Sequence, residues 1–501
     1  MIYKLNFSAV KSYEPKNKSL VYVNYILAGK DFKFYANEFL SYLNIPKTND
    51  SAQKFLDGKD EDFSVIFYAK KTQKYVVKKV DTDKISPDFF RNDVAAIISS
   101  IKDEFDDFVV NVPDDGSLNN VFGSYDYLLQ SVAEGVLLGN YTFDKYKTDK
   151  KTPKSVKCIL RTDKLKIAKN AIDKAIKTTS AVFIARDLVE EPANTLYPQE
   201  FVKRVRKIFA GTNVKVEVLT SASLKKKNMN ALLSVGQASS NPPLLVKLHY
   251  KSGKKTTDKI ALVGKGVMYD SGGLSIKPTS GMVEMKGDMA GAATVVGIIK
   301  AASELSFSQE LYGVIPVVEN VIAGNAYKPG DIIHTASGKT IEVGNTDAEG
   351  RLILADALEF AEKLKPNKIF DFATLTGACL VALGQSIAGL FTDNDALAEE
   401  IFRSGEKTYE KVWRLPMPKE YNELLKSDLA DISNISKDRW AGSITAAEFL
   451  RFFLSDEMKK NWAHIDIAGP ALKHDLSSYT KKYATGFGVR LITDFLLLQK
   501  K

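Results

Sequence analysis

Cysteine and histidine are both scarce. Among 501 residues there are two cysteines, Cys158 and Cys379, and four histidines, His249, His334, His464 and His474. Two thiols cannot build a disulfide framework or a four-cysteine zinc site, and they point to a reducing compartment. The histidines fall in no H-E-x-x-H or other paired spacing, so each reads as structural. A G-x-S-x-G elbow is absent, which disfavours a serine hydrolase. No apolar run approaches the roughly 18 residues of a membrane span, and residues 1–20 lack the apolar stretch and small-residue cleavage site of a secretory signal. The sequence therefore predicts a cytoplasmic protein with no membrane partner.

What is present is a globular composition, 45% hydrophobic and 26% charged, which supports a sizeable core and argues against disorder. The length predicts two large domains or about three. Lysine and arginine outnumber the acids 70 to 61, a net charge of +9. Nearly all of that excess lies in residues 144–177, where eleven lysines and Arg161 face four aspartates. Pro153, and the helical spacing of Leu165, Ala168, Ile172 and Ile176, make this window a solvated connector followed by an amphipathic helix. Nucleic-acid binding through residues 144–177 is the alternative; no aromatic or glycine-rich element interleaves with the charge, so the connector is preferred.

A boundary in this window gives an N-terminal domain over 1–163, a connecting helix over 164–185 and a C-terminal domain over 186–501. In the first, 20–28, 63–69 and 74–80 read as strands, and 89–105 and 121–138 as helices. In the last, strands at 260–263, 311–318, 340–343 and 368–373 alternate with helices at 290–305 and 351–364. Short apolar strands alternating with helices predict an α/β fold, a sheet covered by helices on both faces.

Any chemistry must rest on carboxylates and lysines, which gather in three segments. The glycine-rich stretch from Lys265 through Asp270 to Lys277 leaves the end of an apolar strand, where ligands bind in open α/β sheets. It has no G-x-x-x-x-G-K-[ST] phosphate loop. Asp288 stands just before the helix at 290, where it reads equally as an N-cap. The third segment is Asn345-Thr346-Asp347-Ala348-Glu349-Gly350-Arg351. Thr346 and Glu349 have capping-box spacing, which requires neither Asp347 nor Arg351, so capping and function stand about even. Four converging carboxylates would repel without cations, and two divalent ions bridged by carboxylates are one solution. A two-metal phosphoesterase would use the same set, but no phosphate cradle supports it.

The strings GKGVMYDSGGLSIKP, MKGDMAGAATV, NTDAEGRLILADAL, DFATLTGAC and WAHIDIAGPA follow in this order. From about residue 186 to 495 the chain resembles the leucyl aminopeptidase (cytosol aminopeptidase) family of two-metal peptidases, NTDAEGRL being the most specific string. The N-terminal part is similar only in length and position. The resemblance implies a smaller N-terminal α/β domain joined by a helix to a larger C-terminal α/β catalytic domain with a central mixed sheet flanked by helices. It implies Lys265, Asp270, Asp288 and Glu349 on one metal and Asp270, Asp347 and Glu349 on the other, with Mn²⁺ or Zn²⁺ bound. A lysine ligand must be a neutral amine, its pKa depressed from about 10.4.

The implied reaction releases N-terminal residues from peptides with a free amino end, by attack of a hydroxide activated by both ions. Lys277 would stabilise the developing oxyanion, and Arg351 would bind a bicarbonate that shuttles the proton. Met285, Thr374, Gly377, Ala468 and Ala471 would line the pocket for the first side chain, favouring leucine, methionine and other apolar residues. A homo-hexamer is expected from the same resemblance. Met268 and Tyr269 depart from the small polar residue and phenylalanine of many relatives, yet every ligand type is intact.

Overall fold

The computed structural model describes residues 3–14, 18–46, 48–68, 71–101, 105–150, 152–253, 258–472, 477–480 and 483–499. Ala69, residues 102–104, Lys151 and His474, each part of an expectation above, lie outside them. The chain forms two compact units, Met1–Thr179 with Ser477–Tyr479, and Ser180–Leu476 with Thr480–Lys501.

The first unit is built on β1 (Tyr3–Val10), β2 (Leu20–Leu27), β3 (Asp62–Tyr68), β4 (Thr72–Val80), β5 (Asp107–Asn111) and β6 (Lys154–Arg161), in the sheet order β1-β6-β5-β2-β4-β3. All neighbours are parallel except β3 and β4. Successive side chains of a strand point to opposite faces. On β2, Val21, Val23 and Tyr25 therefore join a cluster with helices Phe89–Ser100 and Tyr125–Gly139, while Leu20 and Tyr22 join a second with Val109 and Ile159. Residues 121–138 are not one helix: Gly123 takes φ +71° and ends a short turn, and Ser124 caps a new helix by accepting from the Tyr127 amide.

The basic window is a solvated connector only over residues 145–150, which are exposed; the expected helix follows as Leu165–Glu190, but a strand intervenes. Residues 154–161 form the interior strand β6, with Val156, Cys158 and Leu160 buried. Lys154 and Lys157 stand before and among these apolar positions, and their charge hid a strand buried on both faces, since Ile159 on the other side is buried too. Lys154, Lys164 and Lys174 pair with Asp106, Asp114 and Asp126 at 3.0, 2.8 and 2.6 Å. Acids elsewhere in the same unit thus offset part of the local excess, and nothing supports the nucleic-acid reading.

The second unit contains β7 (Val214–Leu219), β8 (Leu244–Tyr250), β9 (Lys259–Gly264), β10 (Gly266–Asp270), β11 (Glu310–Asn320), β12 (Ile332–His334), β13 (Thr340–Glu342), β14 (Lys368–Ala373), β15 (Ile387–Phe391), β16 (Lys411–Arg414), β17 (Ile432–Ser433) and β18 (Trp462–Asp466). Its main sheet runs β16-β15-β18-β14-β9-β11-β8-β7, with β10 beside β11. It is mixed, parallel across β18, β14, β9 and β11 and antiparallel from β11 to β8 and β7. On β9, Ile260, Ala261, Leu262 and Val263 are all fully buried, so both faces are covered. Helices Asn230–Gly236 and Glu349–Glu362 pack with Ala261 and Val263, while helix Ala290–Leu305 packs against β9, β11 and β14. Among the described residues no helix is long and apolar enough to cross a membrane.

Candidate metal centre

The acidic segments converge at the carboxyl edge of this sheet. Lys265 follows β9 directly, Asp270 ends β10, Asp288 follows the turn Val283–Gly287, and Glu349 opens the helix Glu349–Glu362. Neither capping reading holds. Met289 and Ala348 occupy the N-cap positions without side-chain bonds. Thr346 Oγ1 instead donates to the Gly272 carbonyl at 2.6 Å and accepts from the Ser275 amide at 2.8 Å, tying two segments together.

Lys265 lies at the centre. Its Nζ is 2.8 Å from Asp288 Oδ2 and 2.9 Å from Glu349 Oε1, and it donates to the Thr374 carbonyl at 3.0 Å. Gly350 makes room for it, since a Cβ there would stand 2.5 Å from Lys265 Cε. Lys277 Nζ lies 2.9 Å from Asp270 Oδ2 and 2.6 Å from Asp347 Oδ1. One ligand atom each from Asp270, Asp347 and Glu349 fall within 4.8 Å of one another, so these three acids could share an ion.

The electrostatics are those of crowded acids. Burial, then the Asp270 charge, pushes Glu349 up to about 8; burial also pushes Asp288 up to about 6 and raises Asp347. Burial opposes the charge on Lys265, but Asp288, Glu349 and Asp270 outweigh it and hold the ammonium above the ordinary lysine range. With carboxylates as its charged neighbours, Lys265 is thus shifted opposite to what a metal ligand needs. Glu349 Oε2 and Arg351 Nε are buried without a hydrogen-bond partner among the described residues. Burial lowers Arg351 to about 10, so it remains charged at neutral pH. It donates through Nη1 to the Asn434 carbonyl at 2.7 Å.

Several polar residues that frame the site were invisible in the sequence motifs. Asn320, at the end of β11, donates to Asp270 Oδ1 at 2.8 Å and to the Thr346 carbonyl at 3.0 Å. Asn434 accepts from the amides of Gly344 and Asn345 and donates to the Asn345 carbonyl. Tyr327 donates to the Thr346 carbonyl at 2.7 Å. Their signal is purely tertiary, an amide or hydroxyl brought from a distant loop.

Of the five expected pocket residues, Thr374 reaches the centre, donating to Asp288 Oδ1 at 2.7 Å. Met285 sits in the turn leading to Asp288, its carbonyl accepting from the Asp288 amide at 3.3 Å. Gly377 begins a helix and is exposed; the Ala468 amide donates to Asp466, which also accepts from Leu375 and Thr376; Ala471 is buried beside Thr485.

Acids that converge this way at the carboxyl edge of an α/β sheet define the class of metal-dependent enzymes. Residues 183–493 match the catalytic domain of the cytosol aminopeptidase family, and the chain belongs to that family. A probable cytosol aminopeptidase of Bradyrhizobium sp. is 47% identical over 369 residues, 72% of each chain. Another, from Chlorobium limicola, is 40% identical over 93% of this chain and 90% of its own. A mutant of tomato leucine aminopeptidase superposes with a TM-score of 0.86 at 31% identity, covering 99% of this chain and 97% of that one. A bottromycin maturation enzyme in complex with Mn gives 0.83 at 29% identity, covering 96% and 100%. The protein is a metal-dependent aminopeptidase, a hydrolase of peptides.

Proposed function

We propose that the enzyme releases leucine, methionine and other apolar N-terminal residues from peptides with a free amino end. The observation that carries this reading is the convergence of Asp270, Asp288, Asp347 and Glu349 on Lys265 and Lys277, with Glu349 Oε2 left unpartnered in a buried site. Four carboxylates against two ammoniums leave excess negative charge, which suits divalent cations. Lys265, Asp270, Asp288 and Glu349 would hold one ion, and Asp270, Asp347 and Glu349 a second, with Mn²⁺ or Zn²⁺ as the metal. With dications held by these acids the field at Lys265 would be reversed, and Lys265 would bind as the neutral amine. Bound there, the ions supply an acidified water and polarise the scissile carbonyl.

The remaining roles fall to side chains. Lys277, whose ammonium sits against Asp270 and Asp347, places positive charge where an oxyanion develops. Arg351 offers a planar guanidinium with a free Nε to bicarbonate, which when bound supplies a proton relay. Met285, Thr374, Gly377, Ala468 and Ala471 would line the pocket for the first side chain; their small or apolar character favours apolar residues. The same family resemblance leads us to propose a cytoplasmic homo-hexamer, for which sedimentation at the mass of six chains is the expected result and a monomer the contrary one.

Turnover of leucine anilides and unblocked peptides is expected, lost with chelator and restored by manganese or zinc. Equal cleavage of an N-acetylated peptide would overturn the requirement for a free amine.

A further inference from the structure

The first unit carries a cleft of about 920 Å³ that peptide hydrolysis does not use. It lies at the carboxyl ends of β2, β5 and β6, between the loop after β2 at residues 28–31 and the loop after β5 at residues 113–117. β2 and β5 are parallel neighbours. The chain leaving β2 nevertheless continues to β3 and β4 on one side, and the chain leaving β5 continues to β6 on the other. Strand order reverses between them, and in open parallel sheets ligands bind in the crevice outside such a point.

The lining carries Lys30 and Arg161 against the exposed acids Glu14, Asp31, Glu38, Asp114 and Asp115, of which Asp114 pairs with Lys164, and three features give the cleft its chemistry. On its floor, Arg161 donates to Tyr22 Oη at 3.3 Å and to Asn111 Oδ1 at 3.5 Å, and among the described residues no carboxylate pairs with its guanidinium. Beside it, Asn24 is buried and accepts from Asn111 Nδ2 at 2.6 Å, leaving its own amide hydrogens for a ligand. On the wall, the rings of Tyr22, Phe39 and Tyr75 lie 5.9 to 6.4 Å apart, and Tyr42 extends this cluster into solvent at 60% exposure. Tyr22 and Tyr75 are buried, so Tyr42 is the exposed ring of this cluster for stacking. At the rim, Asp31 precedes helix Phe32–Tyr42, and its carboxylate makes no bond to the helix amides.

We propose that this cleft binds a nucleoside phosphate. The phosphate would meet Arg161 and the Asn24 amide, through charge-assisted hydrogen bonds. The base would stack on Tyr42, and Asp31 would accept from ribose hydroxyls, as acids near such crevices do. The cleft volume suits a ligand of this size better than a single amino acid.

Calorimetric titration of the full-length enzyme with AMP, adenosine and inorganic phosphate tests the proposal. Saturable AMP binding, weakened about tenfold or more by Arg161→Gln and by Tyr42→Ser, is the expected result. Tyr42 is exposed, so its variant should fold, and unchanged leucine anilide turnover in both variants reports an intact enzyme. The proposal fails if AMP does not bind at millimolar concentration, or if both variants bind it as the wild type does. Phosphate binding as tightly as AMP would remove the stacking role, and adenosine binding as tightly would remove the phosphate role; either outcome overturns the ligand class.

Discussion

Each unit buries a cation among acids, and the two clusters are finished differently. In the first unit Arg91 is fully buried, and every donor group has a partner: Nη1 meets Asp88 at 2.6 Å, Nε meets Glu134 at 2.9 Å, and Nη2 meets Tyr127 Oη and Ser131 Oγ at 3.1 and 3.2 Å. Tyr479 donates to the same Asp88. In the second unit Lys265 faces more acid than it can neutralise, Glu349 Oε2 has no partner among the described residues, and Glu349 and Asp288 are pushed up by burial. A satisfied network fixes a fold, whereas an unsatisfied one holds strain that a ligand relieves. The difference separates structural from functional charge within one chain.

The comparison breaks most visibly at Asp347. Asp347→Asn should lower leucine anilide turnover by about 10²–10³-fold or more, the scale of removing a group that faces developing charge, while the thermal midpoint of chelated protein stays within a few degrees of wild type. Full activity in this variant would remove Asp347 from the centre. The mirror experiment is Arg91→Met, which leaves Asp88 and Glu134 buried without their cation. It should destabilise by about 3–5 kcal/mol in urea denaturation, with kcat per folded molecule unchanged. A loss below about 1 kcal/mol would rank the Arg91 network with exposed surface pairs.

A smaller effect is expected one contact away from the acids. Asn320→Ala removes the amide that orients Asp270 and should reduce metal affinity, read by titration of the chelated enzyme, by about 10–100-fold. Unaltered affinity would show that Asp270 is held by its own loop. This residue also marks the limit of what the sequence discloses. Lys265, Asp270, Asp288, Asp347, Glu349 and Lys277 stand in loops or at the element ends beside them, and their convergence follows the alternation of strands and helices. Asn320 is the last residue of a strand, and Asn434 lies 83 positions beyond Arg351; neither has a local pattern. β6 was hidden for a different reason, because Lys154 and Lys157 carry charge into a short strand whose Val156, Cys158, Ile159 and Leu160 are all buried. With three successive buried residues at 158–160 the period of two is broken, and charge dominated the window.

Asp356 lies between the two extremes, and its effect should be the smallest. It sits two turns beyond Glu349 on the same helix, fully buried, and among the described residues no cation pairs with it; its oxygens accept from the amides of Leu232 at 2.9 Å and Ala336 at 3.0 Å. Burial pushes it up to about 7, against the pull of those amides. A folded value above the unfolded one near 3.9 means the neutral form is favoured in the fold. Its contribution to stability is therefore full below about pH 4 and fades as pH rises through about 7. Asp356→Asn abolishes the titration, so in chelated protein the thermal midpoint of the wild type relative to the variant should decline across that window. A relative midpoint that stays flat or climbs would mean that two amides suffice to keep a buried carboxylate ionised without a cation, and Asp356 would then belong with the satisfied Arg91 network rather than with the strained acids one helix end away.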